Sequence, residues 1–482
     1  MVSRRLAFGW LLAIGLAAIS GRVVRADEPP AEHPKASAAA DAPQDEADPA
    51  KAKADKAEAA KQAAKDEEEF YDLYKSLADT VDQVDRNYVK KVDRRELMEA
   101  AIKGVLSKLD PYSSYIGRDE AGRFKDTVEN QFGGIGIQIT MDENQLKILS
   151  PLVGTPGYKA GLMAGDRITK IGDESTATLS LDDAVHKLKG DAGTSITLTV
   201  VHPGKTKSET ITVKREVIHI DTVLGDRRKT DDSWDYMLDP DKRIGYIRVT
   251  TFSRDTAEDL KKAIDDLKVR KIKGLILDLR FNPGGLLTSA IDTCDMFLNE
   301  GRIVSTEGRN TPKKVWDATK KSDAFVGPPM VILVNRYSAS ASEIVSACLQ
   351  DHKRAVIIGE RTWGKGSVQN VIELEDGKSL LKLTTASYQR PNGHNIHRFP
   401  DSKETDEWGV SPNPGYEIKL NDSEMAEMLA ERRDRDIVAG KKPATKSDEP
   451  AKESTKPDAK HRADKQLQKA LDYLTSELAK AP

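Results

Sequence analysis

The chain has 482 residues, with 75 basic against 78 acidic side chains, a formal net charge of −3 and only 5% aromatics. That length calls for two or three folded units joined by solvated linkers. The opposite charges are interspersed, with no basic face and no aromatic–basic alternation, which speaks against nucleic acid or another polyanion as partner.

Arg4 and Arg5 precede an apolar run, Leu6–Ile19, and Val24-Arg25-Ala26 offers small residues for cleavage, so residues 1–26 read as an export signal. The run is short for a bilayer span, yet Arg22 and Arg25 flank it, which leaves a retained anchor open beside a cleaved signal. The expectation is an exported protein, periplasmic or secreted, with membrane attachment only through this N-terminus. Residues 27–66 are mostly Ala, Lys, Asp, Glu and Pro. Such a composition cannot bury enough surface to offset its ordering entropy and predicts a disordered linker.

An N-terminal helical region is expected over 67–131. Phe70, Leu73, Leu77, Val81 and Val84 form one apolar helical stripe, and a second helix, Arg94–Leu109, ends at Asp110-Pro111. The stripe is equally suited to pairing two subunits as a homodimer and to packing on its own core. Over 132–217 the pattern changes to short strands, 135–140, 146–152, 167–171, 195–201 and 210–217, with one helix at 181–188. Over 218–440 apolar strands at 244–249, 274–279, 330–334 and 355–358 alternate with helices at 256–268, 286–298 and 341–350. That alternation predicts an α/β core with buried, largely parallel strands. A charged linker, 441–460, leads to an amphipathic helix within 461–482 carrying Leu467, Leu471, Leu474 and Leu478. Cys294 and Cys348 make no disulfide framework; buried free thiols are the plainer reading, and a pair between them stays open.

Three segments carry chemistry. Ser338-Ala339-Ser340-Ala341-Ser342-Glu343 lies between a strand and a helix. Serines cap helices, and Ser340-x-x-Glu343 is a capping-box pattern, which alone would account for it. The small neighbours also leave the Ser340 hydroxyl open beside a helix start, where an anion is stabilised. Gly359-Glu-Arg-Thr-Trp-Gly364-Lys365-Gly366 nearly matches a phosphate-binding loop, but Gly366 lacks the required hydroxyl and a strand is expected to follow. Asn282-Pro283-Gly284-Gly285 reads as a strand-to-helix turn, or as a loop presenting an N–H to an oxyanion.

Together these segments resemble the carboxyl-terminal processing, or tail-specific, proteases, serine–lysine peptidases. Leu277–Gly285 is similar to their glycine motif, Ser338–Glu343 to their nucleophile motif and Gly364-Lys365-Gly366-Ser367-Val368-Gln369 to their base motif. Phe132-Gly-Gly-Ile135-Gly136, Leu109-Asp110-Pro111-Tyr112-Ser113 and Asp464-Lys-Gln-Leu467 agree as well, over roughly 70–480. The resemblance implies Ser340 as nucleophile, Lys365 as general base, Gln369 as its orienting partner, and the N–H groups of Gly285 and Ala341 as oxyanion hole. It implies a crotonase- and ClpP-like α/β protease core with an inserted PDZ domain, and neither metal nor cofactor.

A serine hydroxyl is a weak nucleophile until a neighbour takes its proton. A lysine, with an unperturbed pKa of ~10.4, accepts it only if burial, expected here beside Trp363 and Val368, disfavours the ammonium. A glutamine fixes the amine without adding charge. None of the eight histidines lies in a motif, and His352 falls too far from the start of its helix for a Ser-His-Asp triad. Gly134-Ile135-Gly136-Ile137 resembles a PDZ carboxylate loop, with Ala160–Asp166 as a second hallmark of such a module, so peptides with free C-termini are the expected substrates. Three departures from the family pattern stand out. Lys189 precedes Gly190 where Arg is frequent, which puts gating by that cation in doubt; Arg361 replaces a usual Pro, and Pro391-Asn392-Gly393-His394 departs from the common turn. The function expected is a serine endopeptidase cutting exported proteins near their C-termini. A catalytically silent PDZ scaffold is the alternative.

Overall fold

The computed structural model describes residues 49–320, 324–438 and 464–480. The expected export signal and the 441–460 linker lie outside the described residues. No helix among the described residues is long and apolar enough to cross a membrane.

Residues 49–117 belong to one compact unit, built on helices α1 (Pro49–Asn87) and α2 (Arg94–Leu106). The start of α1 overturns the reading of 49–66 as unstructured linker. Ala, Lys and Glu are the strongest helix formers, and Gln62 Nε2 donates to Asp66 Oδ1 one turn on, at 2.8 Å. A composition unable to build a core can still form a helix. Asp93 caps α2 by accepting from the Arg95 N–H, and Arg94 pairs with Asp85 of α1 at 2.6 Å. Past the end of α2, Asp110 Oδ1 accepts from the N–H groups of Tyr112 and Ser113. Phe70 and Leu73 are each 64% exposed, whereas Val81 and Val84 at the other end of the stripe are half-buried.

A second compact unit includes everything described from Arg118 onward. After β1 (Gln131–Gly134) come β2 (Ile137–Asp142), β3 (Gln145–Pro151), β4 (Arg167–Ile171), α3 (Leu181–Leu188), β5 (Ser195–Val201), β6 (Glu209–Lys214) and β7 (Glu216–His219). Strands β2 to β6 form an antiparallel sheet in sequence order, with β2 at its edge, over a core including Leu146, Ile148, Leu162, Ile168, Leu198 and Val200. Strand β7 returns to pair with β1, Phe132 opposite Ile218. The chain therefore enters and leaves this module side by side, as an insertion requires. The strand expected over 210–217 is broken at Arg215, whose guanidinium donates to the Lys187 and Leu188 carbonyls at the end of α3.

The main elements that follow are β8 (Ile244–Val249), α4 (Thr256–Val269), β9 (Gly274–Asp278), α5 (Leu287–Asp295), β10 (Arg302–Gly308), β11 (Thr311–Asp317), β12 (Met330–Val334), α6 (Ala341–Asp351), β13 (Val356–Gly359), β14 (Ser367–Leu374), β15 (Ser379–Gln389), α7 (Asp422–Asp436) and α8 (Lys465–Lys480). Strands β8, β9, β12 and β13 lie side by side and parallel, Ile247 beside Leu277, Leu277 beside Ile332, and Ile332 beside Ile357. Their apolar runs bury both faces, as a covered parallel sheet must. Ile247, Leu277, Ile332 and Ile357 share one cluster with side chains of α4, α5 and α6. Tyr246, Ile276, Val331 and Ile358 alternate to the other face, against Leu467, Ala470 and Leu474 of α8. Strands β14, β15, β10 and β11 form a second, antiparallel sheet. Cys294 and Cys348 are buried free thiols, and burial pushes the Cys294 thiol upward.

A buried ion cluster ties α8 to the end of β9. Arg280 is fully buried and donates to Asp278 and, through both terminal nitrogens at 2.8 Å, to Asp464, with Gln466 as a further acceptor. Arg432 of α7 also reaches Asp278, at 2.7 Å. Burial alone would raise the Asp278 and Asp464 carboxyls, but the facing guanidiniums outweigh it and hold both below the usual range. A depressed folded-state pKa stabilises the fold above about pH 4, the unfolded carboxylate value, and that stability is lost as the pH falls toward the folded value. The melting temperature should therefore fall on acidification below about pH 4. D464N should flatten that dependence and, by leaving buried Arg280 undercompensated, cost about 3–5 kcal/mol in denaturant unfolding at neutral pH.

Candidate active site

Three loops meet at the C-terminal ends of neighbouring parallel strands, the edge where open α/β sheets place their ligands. The first follows β9 and contains Asn282 to Gly285. The second follows β12 and turns at Ser340 into α6. The third follows β13 and carries Gly364 and Lys365.

Ser340 sits at φ 57° and ψ −115°, a strained conformation for a residue with a side chain. It makes a sharp strand-to-helix turn that lifts its hydroxyl out of the sheet. The first loop packs directly beneath. The Ala339 N–H donates to the Asn282 carbonyl at 3.0 Å, and Ser342 Oγ donates to the same oxygen. Gly284 has φ 102°, and a Cβ there would lie 2.7 Å from the Ser340 Cβ. Only glycine allows this approach.

Half of the expected capping box forms. Glu343 Oε2 accepts from the Ser340 N–H at 2.7 Å. The Ser340 hydroxyl instead pairs with the Tyr388 hydroxyl at 2.8 Å, while the Glu343 N–H donates to the Ser340 carbonyl. The fully buried Glu343 carboxylate also joins the third loop. It accepts from Thr362 Oγ1 at 2.5 Å, the Gly364 N–H at 2.7 Å and the Lys365 N–H at 2.8 Å. Burial pushes this carboxyl upward, against the hydrogen bonds that pull it down. Ser340 N and Lys365 N share one acceptor, Oε2, by bonds of 2.7 and 2.8 Å. Laid end to end, these bonds keep the two backbone nitrogens within 5.5 Å of each other.

Lys365 is 5% exposed. Trp363, expected to help bury it, is 47% exposed, and its backbone N–H donates to the Ser338 carbonyl at 2.9 Å. Gln369 lies on β14 at a register shift against β15, between Val368 and Gln369, an irregularity that re-aims side chains. Its amide nitrogen donates to Ser367 Oγ at 2.9 Å and Thr384 Oγ1 at 3.2 Å. Gly285, Ser340, Ala341, Gln369 and Tyr388 line one cavity of about 10 Å³. That volume suits about one water molecule and no peptide.

The Lys365 loop runs into strand β14, so the phosphate-loop alternative lacks the helix it needs. His352 Nε2 donates to the Arg302 carbonyl at 2.7 Å, at the far end of α6. Glu343 and Tyr388 are the functional residues that sequence patterns missed. The first was hidden inside a capping motif, and the second had no signal beyond its place on a strand.

In the smaller module Ile135 is buried and Gly136 has φ 71°, where a Cβ would meet Thr155 at 2.3 Å. Ile135 and Gly136 use their carbonyls on Gly157 and Leu152. Gly134 ends β1 and Ile137 opens the edge strand β2. Lys189 places its ammonium 5.1 Å from the Phe132 ring centroid.

Residues 243–410 match Peptidase family S41, residues 147–201 a PDZ domain and residues 39–120 the Activating protease CtpB N-terminal domain. A carboxy-terminal-processing protease of Bartonella bacilliformis is 39% identical over 76% of this chain and 83% of its own. The carboxy-terminal processing protease CtpA of Bacillus subtilis is 36% identical over 67% of each chain. A solved photosystem II D1 C-terminal processing protease is similar at 29% identity and a TM-score of 0.40, covering 72% of this chain and 92% of that one. The chain belongs to peptidase family S41 and is a carboxy-terminal processing protease. The silent-scaffold alternative gives way to an enzyme.

The shared carboxylate makes Glu343 a positioning residue. E343Q, which presents an amide to N–H groups that need an acceptor, should lower peptide turnover by about 10²-fold with KM little changed. Stopped-time peptide assays beside a thermal melt separate that effect from unfolding.

Proposed function

We propose that the chain cleaves exported proteins near their C-termini through an acyl-enzyme on Ser340, with Lys365 as general base. The observation that carries this reading is the common acceptor of the Ser340 and Lys365 N–H groups. It brings the two backbones close enough for a lysine side chain to reach the hydroxyl. Lys365 is buried, 5% exposed, beside the Ser340 turn, as a base serving that hydroxyl must be. With both amide hydrogens committed to hydroxyls, the Gln369 carbonyl oxygen remains suited to hold the Lys365 amine. Gly285 and Ala341 flank the nucleophile where the N–H groups of an oxyanion hole would stand. The cleft must widen to admit a peptide.

The PDZ module, taken as 132–217, would select substrates. Its edge strand β2 faces α3, so an entering tail can add a strand there while the Gly134–Ile137 loop meets the terminal carboxylate. The core is taken as 218–440 and the C-terminal helical segment as 461–482. The export reading rests on the Arg4–Ala26 pattern. Two subunits would pair through the α1 stripe, whose Phe70 and Leu73 are each 64% exposed and Leu77 40%.

S340A and K365A, each folded by circular dichroism, should lose peptide cleavage by about 10³-fold or more; near-normal turnover in either would reject the assignment. Peptides differing only in their last residues should be cut at rates that depend on those residues, and capping the terminal carboxylate as an amide should slow cleavage, as read by mass spectrometry. Sedimentation of the protein should show a dimer that Leu73→Glu dissociates.

A further inference from the structure

The hydroxyl of Ser340 has a partner that the proposed dyad does not use. Tyr388 OH lies 2.8 Å from Ser340 Oγ, and both residues are buried, at 4% and 7% exposure. The phenol is rigidly carried. Its backbone N–H donates to the Gly366 carbonyl at 2.9 Å, directly after Lys365, and on its other side Tyr388 is in register with Thr306 of β10. It thus sits in the middle of the antiparallel sheet, fixed to the base loop, and opens into the same small cavity as Gly285, Ala341 and Gln369.

We propose that Tyr388 is a further catalytic residue, the general acid that protonates the leaving amine when Ser340 is acylated. This rests on the reading of Ser340 as nucleophile. Lys365 takes the hydroxyl proton as Oγ forms its bond to the substrate carbonyl carbon. The C–N electron pair then leaves with nitrogen, which must gain a proton to depart as an amine. That nitrogen is one bond from the carbon now carrying Oγ, so a donor already touching Oγ is within its reach. Tyr388 gives its phenolic proton to the nitrogen, and the Lys365 ammonium returns one to the phenolate. A hydroxyl and a peptide become an acyl-serine and a free amine, with the base neutral again. General acids of this kind contribute about 10²–10⁴-fold.

An ester with a p-nitrophenolate leaving group needs no such proton, and this separates acid catalysis from mere placement of Ser340. Y388F should lose about 10²-fold in kcat/KM on a peptide while p-nitrophenyl ester acylation stays within a few-fold of the unaltered protein. An equal loss on both substrates would assign Tyr388 to positioning alone, and no loss or a gain on the peptide would assign it to restraint of the resting hydroxyl; either overturns the proposal. In place of a variant that removes the phenol, 3-fluorotyrosine incorporated at 388 keeps the hydroxyl with a more acidic proton. The alkaline limb of the peptide pH profile should then move to lower pH, and an unmoved limb counts against the proposal. S340A tested on the same ester keeps the two ideas apart. Unchanged ester acylation in that variant removes the nucleophile assignment itself, whereas an inert S340A beside a fully active Y388F removes only the role of Tyr388.

Discussion

One carboxylate holds the catalytic end of this molecule together. Glu343 lies in the first turn of α6, fully buried, and its two oxygens collect the N–H groups of Ser340, Gly364 and Lys365 and the hydroxyl of Thr362. Isolated buried charge is costly, and here burial is offset by donors drawn from two loops that follow different strands. The consequence is geometric. The Ser340 turn and the Lys365 loop, which share no regular secondary structure, are held within the length of two hydrogen bonds. The strain in Ser340, with φ of 57°, is sustained by the same bonds together with the glycine loop below it.

A second buried network does comparable work at the other face of the sheet. Arg280 follows β9 by two residues and precedes the Asn282–Gly285 loop, so whatever fixes Arg280 also fixes the start of that loop. Its partners come from α8 and from the end of β9, and Arg432 of α7 shares Asp278. Charges this deep are seldom the cheapest way to stabilise a fold. They do specify one arrangement, since a carboxylate and a guanidinium admit few geometries in which every donor is satisfied. The last helix thereby becomes part of the support for the Asn282–Gly285 loop, although it lies far from that loop in sequence.

Recognition and chemistry are built on different principles in this chain. The small module offers backbone, an unpaired sheet edge beside a helix, which suits ligands defined by extended shape and a free terminus more than by side chain. The active cleft offers side chains in a cavity of about 10 Å³, too small for any substrate. The two are built on separate parts of the chain, residues 147–201 matching the PDZ domain and residues 243–410 the peptidase family. Replacement of the frequent arginine by Lys189 bears on the coupling between them. Its ammonium lies over Phe132 beside the module's entry strand, while Arg215 takes the carbonyls at the end of α3.

The parallel strands, the helices between them and the C-terminal amphipathic helix were legible because buried β-runs and helical stripes are local patterns. Ile244–Val249 and Met330–Val334 match the expected ranges, and Leu467 and Leu474 face the core as their spacing requires. The segment 49–66 was misread, since composition reports the ability to form a core and says less about helix formation. Ser340, Lys365 and Gln369 could be picked out by motif, yet the partners around them could not. Glu343 looks like a helix cap in the sequence, and Tyr388 like an ordinary strand tyrosine. The sequence by itself determined the strands of the parallel sheet, the helices between them, their order and the chemical groups available, because periodicity and motif spacing are properties of neighbouring residues; the antiparallel strands β10, β11 and β15 and helix α7 carry no such pattern and came only with the structure. Only the tertiary structure decided that Glu343 bonds to a loop beyond β13, that Tyr388 faces Ser340, and that Asp464 reaches Arg280, because such contacts depend on how distant segments cross and no local spacing encodes a crossing.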